Sequence, residues 1–443
     1  MEGLKMEIWD LYDRDAKKTG ETWERTYGSF RLIPEGKYHM VVDILIKHVD
    51  GTYLLTKRHP DKDVYPGYWE ASAGGSAVSG EEQLEAAKRE MFEETGLKSD
   101  NFTLVNHSFS DKSHSMFYSY LAVVDCDKDS VVLQEEETVD YKWVDRDGLN
   151  EYINSDLAIQ SHNNRYKKYF DVLNTLYVSD LDGTLMKNDK SISEESVKTI
   201  NDLLLKGITF TVATARSLGS VKHIVEPFDL KAPMIIRNGT AYADPKIMEV
   251  TEKALFTKRE LVKLKEILLD LPYNGFTSIW NGNEMTKVFA EGKHSSGIDK
   301  YIDDRKGAKD IKLVSDINEL FNGDVGYITM IDDLECMQPI YDKVKESDEW
   351  EAVLQKDSYG DEYWLEICPG NSTKAKAILK LKEKMNFEKV VVFGDSVNDI
   401  PMFEIADSAY AVDNAIPELK EYATEIIASN EDDGVARFLQ SIL

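Results

Sequence analysis

The sequence predicts a multidomain protein of mixed α/β and α+β class, built from two parts with different sheet architectures. Its 443 residues exceed one compact domain, since domains average about 150 residues. In residues 1–175, strand patterns flank a long glutamate-rich helical segment. From residue 176 onward, apolar strands alternate with helical stretches, which is typical of a doubly wound parallel sheet. Because no Gly/Ser-rich or Pro-rich linker separates the parts, we expect domains at 1–175 and 176–443 joined by a short connection.

The charge balance excludes one class of partner. Lys and Arg number 53 against 81 Asp and Glu, and the formal net charge of −28 repels a polyanion such as duplex nucleic acid. A small phosphorylated metabolite can still bind, because a cation and local basic groups reverse the field inside one cleft. Residues 1–20 lack the apolar core of a signal peptide, and no apolar run nears the length of a membrane span. We therefore expect a cytoplasmic protein with buried free thiols at Cys126, Cys336 and Cys368, none of which forms a CxxC pair.

Local patterns predict the elements of the first part. A helix is predicted over 79–96, with Ser79 and Glu82 as a capping box and Gly96 as its stop. A helical tail ends near residue 173. Strands are predicted at 38–47, 51–57, 117–124 and 138–144, the first two joined as a hairpin.

The predicted helix carries spaced glycines, glutamates and one arginine. Between Gly75 and Leu97 the sequence reads GSAVSGEEQLEAAKREMFEETGL. Glu90, Glu93 and Glu94, at offsets of three and four, lie on one helical face, where their oxygens can hold a hard divalent cation. An acidic, solvated helix is the alternative, but it predicts neither the two glycines nor the spaced arginine.

This segment resembles the Nudix signature, whose fixed positions are filled by Gly75, Glu81, Arg89, Glu90, Met91, Glu93, Glu94, Gly96 and Leu97. The resemblance implies an α/β/α sandwich that cleaves a diphosphate-linked metabolite, such as a nucleoside diphosphate derivative, with Mg²⁺ or alternatively Mn²⁺. It implies metal binding by Glu90, Glu93 and Glu94, of which Glu93 and Glu94 would also be catalytic. Arg89 would orient a glutamate, and Glu81 would be a ligand or an ion-pair partner.

Further residues of this part are open candidates. Families of this kind often add a glutamate from a later loop, and Glu135, Glu136 and Glu137 precede a suitable strand, with a solvated turn as the alternative. Arg58 either meets a substrate phosphate or is a surface arginine. Aromatic candidates for stacking a base, with core packing as the alternative, are Tyr65, Tyr68 and Trp69.

Residues 7–70 are also similar to Nudix members related to isopentenyl-diphosphate isomerase. That resemblance implies a catalytic cysteine just after the tryptophan segment, where this chain reads Glu-Ala-Ser-Ala-Gly-Gly at 70–75. Without the thiol, protonation chemistry lacks its acid, so an isomerase is a minor alternative.

Four apolar runs of the second part end in polar residues: LYVSDLDGT, FTVATARS, MIIRNG and KVVVFGDSVND. Ligands of doubly wound sheets bind beyond the carboxyl ends of the strands, so we expect the four ends to converge on one site. An ordinary acidic turn would account for the first run alone, but not for the four in this order.

The order resembles the haloacid-dehalogenase superfamily: Asp-x-Asp-Gly-Thr, a strand-ending Thr, a Lys before a helix, and Gly-Asp-x-x-x-Asp. The resemblance implies a phosphatase in which Asp180 is the nucleophile that forms an aspartyl phosphate, while Asp182 is the acid and base. Thr214 and Asn238 would bind the phosphoryl group. Lys374 would balance its charge, with Lys376 nearby as the rival lysine.

The same resemblance implies Mg²⁺, or alternatively Mn²⁺, because an anionic nucleophile approaches a phosphate only after charge cancellation. Asn398 would position the metal-binding loop. The implied ligands are Asp180, Asp182, Asp395 and Asp399.

Residues 243–367 are long enough for an αβ cap inserted into a Rossmann-like core of 176–242 and 368–443. The placement is similar to that of the large caps of superfamily members that include sugar-phosphate and cofactor phosphatases, and such caps usually determine substrate choice. Candidates to face a substrate, each with a structural or surface role as the alternative, are Trp280, Asn281, Asn283, His294 and Trp364.

Two complete sites on one chain suggest sequential hydrolysis: the first domain splits a diphosphate-linked metabolite, and the second removes phosphate from a product. Two alternatives stay open. The domains could act on unrelated substrates, or the first could be a ligand-sensing module that regulates the phosphatase.

Overall fold

A computed structural model describes residues 7–26, 28–62, 64–135, 137–270, 275–304, 308–356 and 362–443. The chain divides into two compact units. The first comprises Met1–Asn174 with Asp202–Ile208 and Ser441–Leu443, and the second Thr175–Asn201 with Thr209–Gln440. Within the described ranges, no helix combines the length and apolarity needed to cross a membrane.

The first unit is built on a nine-stranded sheet. Its elements are β1 (Ile8–Tyr12), β2 (Lys18–Glu24), β3 (Tyr38–His48), β4 (Tyr53–Arg58), β5 (Trp69–Ala71), β6 (Ala73–Ser76), α1 (Gln83–Thr95), β7 (Asn101–Ser110), β8 (Ser115–Val124), β9 (Thr138–Val144), α2 (Arg146–Ile153) and α3 (Gln160–Leu173). The strands β2-β1-β3-β4-β5 lie side by side, β6 and β8 also pair with β3, β7 pairs with β8, and β9 pairs with β4.

The strand β3 is the centre of this sheet, because its β-branched and aliphatic run is buried along almost its whole length. One face, with Val42 and Ile44, packs against Met91 of α1. The opposite face, with Leu45, packs against Phe170 of α3. Helices therefore cover both faces, and the predicted α/β/α sandwich is confirmed.

The elements that follow are β10 (Thr175–Ser179), α4 (Glu194–Leu205), β11 (Thr209–Val212), α5 (Leu218–Val225), β12 (Met234–Ile236), β13 (Ala241–Asp244), β14 (Glu249–Lys253), α6 (Lys258–Leu269), β15 (Gly275–Asn281), β16 (Glu284–Ala290), α7 (Ser296–Asp303), β17 (Ile311–Val314), β18 (Val325–Asp332), α8 (Leu334–Val344), β19 (Trp350–Lys356), β20 (Tyr363–Pro369), α9 (Lys374–Lys384), β21 (Lys389–Gly394), α10 (Ile400–Ile405), β22 (Ser408–Val412), α11 (Pro417–Lys420), β23 (Glu425–Ile427) and α12 (Gly434–Ser441).

The core sheet of the second unit has the order β11-β10-β21-β22-β23, and all its strands are parallel. The strand β10 lies between β11 and β21, and Ser179 at its end is level with Val212 and with Phe393. The polar residues that follow these three strands therefore begin at one edge of the sheet. This arrangement confirms the doubly wound core.

The inserted cap has its own six-stranded sheet of order β17-β16-β15-β18-β20-β19. Leu264 of α6 and Ile340 of α8 cover one face, and Ile298 and Tyr301 of α7 pack on part of the other. The strands β13 and β14 instead pair with β12 as a separate antiparallel sheet. The first residues of the predicted cap segment, 243–367, therefore belong to the three-stranded sheet with β12 and not to the six-stranded cap sheet.

A buried ion pair lies beneath the sheet of the first unit and generates a stability prediction. Arg165 donates from Nε and Nη2 to the two Asp43 oxygens at 2.5 and 2.7 Å; Asp43 is buried, and the Arg165 side chain is mostly buried. Arg165→Ala leaves the Asp43 charge buried without its partner, so we expect the free energy of unfolding of this unit to fall by about 3–5 kcal/mol.

Urea unfolding followed by tryptophan fluorescence measures this loss. The matched control is Lys88→Ala, which removes an ion pair whose partner, Asp100, is fully exposed, and should leave the transition midpoint unchanged. Equal midpoints for both variants would contradict the prediction.

Candidate active sites

Three carboxylates meet at the carboxyl ends of the core strands. Asp180 directly follows β10, Asp395 directly follows β21, and Asp399 lies in the turn after Asp395. One oxygen from each lies within 4.8 Å of the others, and the described residues contain no other group of three or more metal-binding side chains with this spacing. Oxygen ligands at such a spacing fit a hard divalent cation such as Mg²⁺.

Lys374 is buried among these carboxylates. Thr373 caps α9, and Lys374 at its first position donates from Nζ to Asp180 Oδ1 at 2.6 Å and to Asp399 Oδ1 at 2.8 Å. Lys376, the rival lysine, points elsewhere and donates to Glu351 at 2.7 Å. The lysine in the site is therefore Lys374.

The burial of so much negative charge shifts the ionisation of the group. Burial raises the pKa of Asp180, and the charges of Asp399 and Asp395 raise it further, against the lowering effect of Lys374. Burial and Asp399 raise the pKa of Asp395 to about 6. Burial opposes the charge on Lys374, but Asp180 and Asp399 outweigh it and raise the pKa of the lysine. A cation bound here would stabilise the ionised carboxylates.

The loop after β10 shapes the mouth of the site. Gly183 has a φ of +77°, and a Cβ there would overlap the Asp395 carboxylate. Thr184 Oγ1 donates to Asp395 Oδ1 at 2.9 Å. The half-exposed Asp182 carboxylate accepts from Arg216 Nε at 2.7 Å and Nη2 at 2.5 Å, and it is not part of the three-carboxylate group. A metal-binding role for its side chain stays a prediction.

The remaining predicted phosphate contacts lie beside this loop. The backbone oxygen of the buried Thr214 accepts from the N–H of Asn238 at 2.9 Å, so the two strand ends are joined. Asn238 Oδ1 is buried and has no hydrogen-bond partner among the described residues. The exposed Asn398 accepts from Ser396 Oγ within the following turn.

Arg216 was missed by sequence reasoning, although it lies two residues after Thr214 in a run that was singled out. Its position at a strand end beside phosphate-binding candidates was the available signal.

In the first unit the glutamate helix begins later than predicted. The helix starts at Gln83, and its capping box is formed by Glu82 and Glu85. The predicted cap residue Ser79 instead donates to Asp10 at 2.6 Å, and Gly80, with a φ of +95°, donates its N–H to the same carboxylate. The prediction of a Ser79–Glu82 capping box was therefore wrong, because Asp10 from β1 binds this turn. The predicted stop at Gly96 is confirmed.

Arg89 organises the glutamates of this helix. Its Nε donates to Glu81 at 2.7 Å, and Nη1 donates to Glu90 and to Glu93, each at 2.9 Å. Glu81 is thus an ion-pair partner, as one of the two alternatives held. The hydrogen bonds to Glu81 raise the pKa of Arg89, so the guanidinium stays charged.

Glu94 lies on the buried side of the helix. It accepts from the N–H of Gly74 at 3.2 Å, and burial together with the charges of Glu70 and Glu90 raises its pKa well above the ordinary range. Burial raises the pKa of Glu90 to about 7, and the next glycine, Gly75, has no room for a Cβ beside the Glu90 carboxylate. The same local negative charge that disfavours two bare carboxylates would favour a bound cation.

Of the later glutamates that the structure describes, Glu137 acts electrostatically on this group, because its charge raises the pKa values of both Glu94 and Glu70. Glu137 also forms an ion pair with Lys62. Glu135 is exposed, and Glu136 lies outside the described residues.

Arg58 is mostly buried and donates from Nη1 to both oxygens of Glu70, at 3.1 and 3.0 Å. It is therefore not a free surface arginine, and its contact with a phosphate stays a prediction. Trp69 packs against the core beneath α3, as favoured for it, while the rings of Tyr65 and Tyr68 lie 5.5 Å apart. Glu70 was missed by sequence reasoning because a lone glutamate after a tryptophan carries no motif.

Comparison with known proteins identifies both parts. The haloacid dehalogenase-like hydrolase family matches residues 177–439, which is more than half of the chain. The chain belongs to this hydrolase family. A NUDIX domain matches residues 37–169, so the first unit carries a Nudix domain.

Relatives agree with this division. The 5-amino-6-(5-phospho-D-ribitylamino)uracil phosphatase YwtE of Bacillus subtilis is 29% identical over 60% of this chain and 96% of its own length. A Nudix hydrolase of Listeria monocytogenes is 35% identical over 32% of this chain and 83% of its own. A crystal structure from Eubacterium rectale, 26% identical, covers 60% of this chain and 98% of its own with a TM-score of 0.50. The chain is a hydrolase of phosphoanhydrides and phosphomonoesters.

The position of Lys374 predicts a strong difference between two neighbouring lysines. Lys374→Ala should lower kcat for p-nitrophenyl phosphate by about 10²–10³-fold, because a buried cation beside Asp180 is lost. Lys376→Ala is the matched control and should keep kcat within about twofold. Circular dichroism checks that both variants fold. Similar kcat values for the two variants would refute the assignment.

The raised pKa values predict how Mg²⁺ and pH act together on stability. Without a cation, the stability contributed by protonated Glu90 and Asp395 is lost as pH rises through their pKa values of about 7 and about 6. Mg²⁺ must displace those protons at low pH, so it should raise the Tm more at about pH 8 than at about pH 5.5.

Differential scanning fluorimetry measures the two Mg²⁺-induced shifts, with Na⁺ at equal ionic strength as the control. In the variant Glu90→Gln, the Mg²⁺-induced Tm shifts at the two pH values should differ by less than in the wild type. A Mg²⁺-induced shift of the same size at both pH values would show that these carboxylates do not bind the cation.

Proposed function

We propose that this chain is a bifunctional Mg²⁺-dependent hydrolase whose two domains act in sequence. The Nudix domain splits a diphosphate-linked metabolite, and the phosphatase domain removes phosphate from a small phosphomonoester. The observation that carries the proposal is the buried contact of Lys374 with Asp180 and Asp399, beside Asp395. Such a group suits phosphoryl transfer, in which catalysis depends on positioning and charge stabilisation.

In the phosphatase domain, Asp180 attacks phosphorus and forms an aspartyl phosphate while the bond from phosphorus to the leaving oxygen breaks. Asp182 gives its proton to that oxygen. Water then attacks the aspartyl phosphate, Asp182 takes the proton, and phosphate leaves with Asp180 restored. Lys374 holds Asp180 Oδ1, which orients the carboxylate and leaves Oδ2 free to attack. The hydroxyl of Thr214 and the side chain of Asn238 bind the phosphoryl group.

Mg²⁺ would be held by Asp180, Asp395 and Asp399 and would supply the charge cancellation that an anionic nucleophile needs near a phosphate. Before substrate binds, Arg216 holds the Asp182 carboxylate through two hydrogen bonds, from Nε and from Nη2. A phosphoryl group that enters the site competes for Arg216 and so releases the Asp182 side chain toward the leaving oxygen.

In the Nudix domain, Glu90, Glu93 and Glu94 would hold Mg²⁺ for cleavage of a diphosphate by water. Arg89 orients Glu90 and Glu93 because its Nη1 donates a hydrogen bond to each carboxylate. Glu94, which is buried and fixed by the Gly74 N–H, would take the proton of the attacking water.

The relatives suggest a substrate class for the phosphatase domain. The Bacillus subtilis relative named above acts on a phosphomonoester at the end of a ribityl chain, and it is matched over almost its whole length. We propose a phosphorylated polyol or sugar derivative as the substrate here. A diphosphate that contains such a unit would then feed the second reaction with the product of the first.

Two single variants test the assignment and the order of action. Glu94→Gln should lower diphosphate cleavage, and Asp180→Asn should lower phosphomonoester hydrolysis, each by about a hundredfold or more with the other activity unchanged. The substrates are a panel of nucleotide-linked diphosphates, including flavin adenine dinucleotide, and a panel of sugar and polyol phosphates. If each variant retains both activities, the site assignment is wrong.

The order of action is read from intermediates. With a diphosphate cleaved by the wild type, Asp180→Asn should accumulate the monophosphate product, and Glu94→Gln should leave the diphosphate intact. If no Nudix product is a phosphatase substrate, the domains act on unrelated substrates. If the Glu94→Gln variant binds diphosphates that change phosphatase activity while the wild type cleaves none, the Nudix domain is a sensor.

A further inference from the structure

One cap carboxylate is mostly enclosed by protein and has no ion-pair or hydrogen-bond partner among the described residues. Glu366 lies in the middle of β20, and burial raises the pKa of its carboxyl. Among the described residues, no hydrogen bond or ion pair joins its carboxylate, and part of the side chain remains accessible to solvent. A carboxylate that loses part of its hydration without gaining a partner costs stability, and such groups persist where a ligand supplies hydrogen bonds in place of water. Because Glu366 is surrounded by protein and is still reached by solvent, we infer that it lines a cleft.

Glu366 belongs to the sheet face that borders the catalytic strand ends. Its neighbour on β18 is Thr329, and Tyr327, two residues away on the same strand, shares that face. The Tyr327 hydroxyl donates to the backbone oxygen of Arg237 at 2.6 Å, in the turn that also carries Asn238. In sequence, β20 leads directly into the turn before Lys374. This face therefore opens toward the phosphatase site.

We propose that Glu366 selects the phosphatase substrate by accepting hydrogen bonds from hydroxyl or N–H groups on the organic part of a phosphorylated polyol or amino-polyol. The inference rests on the proposed phosphatase function and names the cap residue that would recognise its substrate. An ionised carboxylate only accepts hydrogen bonds, so it matches a donor-rich chain. Its negative charge also disfavours a substrate with a second phosphate.

Two side chains of the same sheet, those of Lys287 and Trp364, neither neutralise the charge of Glu366 nor replace it as a hydrogen-bond acceptor. Lys287, on the same sheet, forms an ion pair with Asp310 and so is not available to neutralise it. Trp364, two residues earlier on β20, shares the face of Glu366 and offers an aromatic surface at the side of the cleft. The combination of an apolar wall and one accepting group is typical of small-molecule sites.

The test compares a donor-rich substrate with one that has no hydroxyl groups on its organic part. In the full chain, Glu366→Gln should lower kcat/KM for D-ribitol 5-phosphate by about tenfold or more, chiefly through KM, while kcat/KM for p-nitrophenyl phosphate changes less than about twofold. Glu366→Leu, which removes the acceptor altogether, should lose more on the polyol phosphate. Neither variant leaves a buried charge, so we expect their Tm values to equal or exceed that of the wild type.

The matched control is Glu335→Gln, an exposed carboxylate on α8, which covers the opposite face of the same sheet. It should change neither substrate. Equal losses on both substrates, or no loss on the polyol phosphate, would overturn the assignment of Glu366. If the wild type hydrolyses no phosphomonoester, the proposed function fails. The role of Glu366 is then tested by calorimetry on the Asp180→Asn protein. Adding Glu366→Gln to that protein must weaken its binding of D-ribitol 5-phosphate.

Discussion

Burial of negative charge is the constraint on which both sites depend. Asp180, Asp395 and Asp399 have one buried lysine among them, and the sheet edge brings their oxygens within 4.8 Å. In the described part of the Nudix domain, Glu94 accepts a hydrogen bond only from a backbone N–H, while Arg89 binds Glu81, Glu90 and Glu93. Burial, together with the charges of neighbouring carboxylates, raises the pKa values of Asp180, Asp395 and Glu94. The fold thus holds both groups of carboxylates at positions where a divalent cation would reduce their mutual repulsion.

The two domains reach this state by different geometry. In the Nudix domain the spacing of an α-helix alone puts Glu90, Glu93 and Glu94 on one face, and the sheet needs only to present that face. In the phosphatase domain the three carboxylates come from distant parts of the chain, and parallel strands in register make Asp180 and Asp395 neighbours. The first site depends on local structure, whereas the second depends on the packing of the whole core.

This difference explains what the sequence could predict. The strand ends predicted that Asp180 and Asp395 lie together, and the structure brings them together. The two families and their fold classes are confirmed, whereas the metal-binding roles of both sets of carboxylates stay predictions. The sequence could not choose between Lys374 and Lys376, because only the packing of α9 decides which one is buried. The capping box failed for a related reason: Asp10, far away in sequence, binds the turn at Ser79. Pairs such as Arg216 with Asp182 also join separate segments and leave no local pattern.

Asp43 and Glu366 are both shielded carboxylates, but the first has a structural role and the second, as we propose, a role in binding substrate. Asp43 is buried and Glu366 is mostly enclosed, but Arg165 binds both oxygens of Asp43, which therefore has its partner within the fold. Glu366 has none among the described residues and lies on a face that opens toward a catalytic site. An apolar side chain at that position would cost the fold less, since no charge would be desolvated. A carboxylate there is consequently explained by what enters the cleft, and the core that performs the chemistry can stay unchanged while the cap sets the substrate.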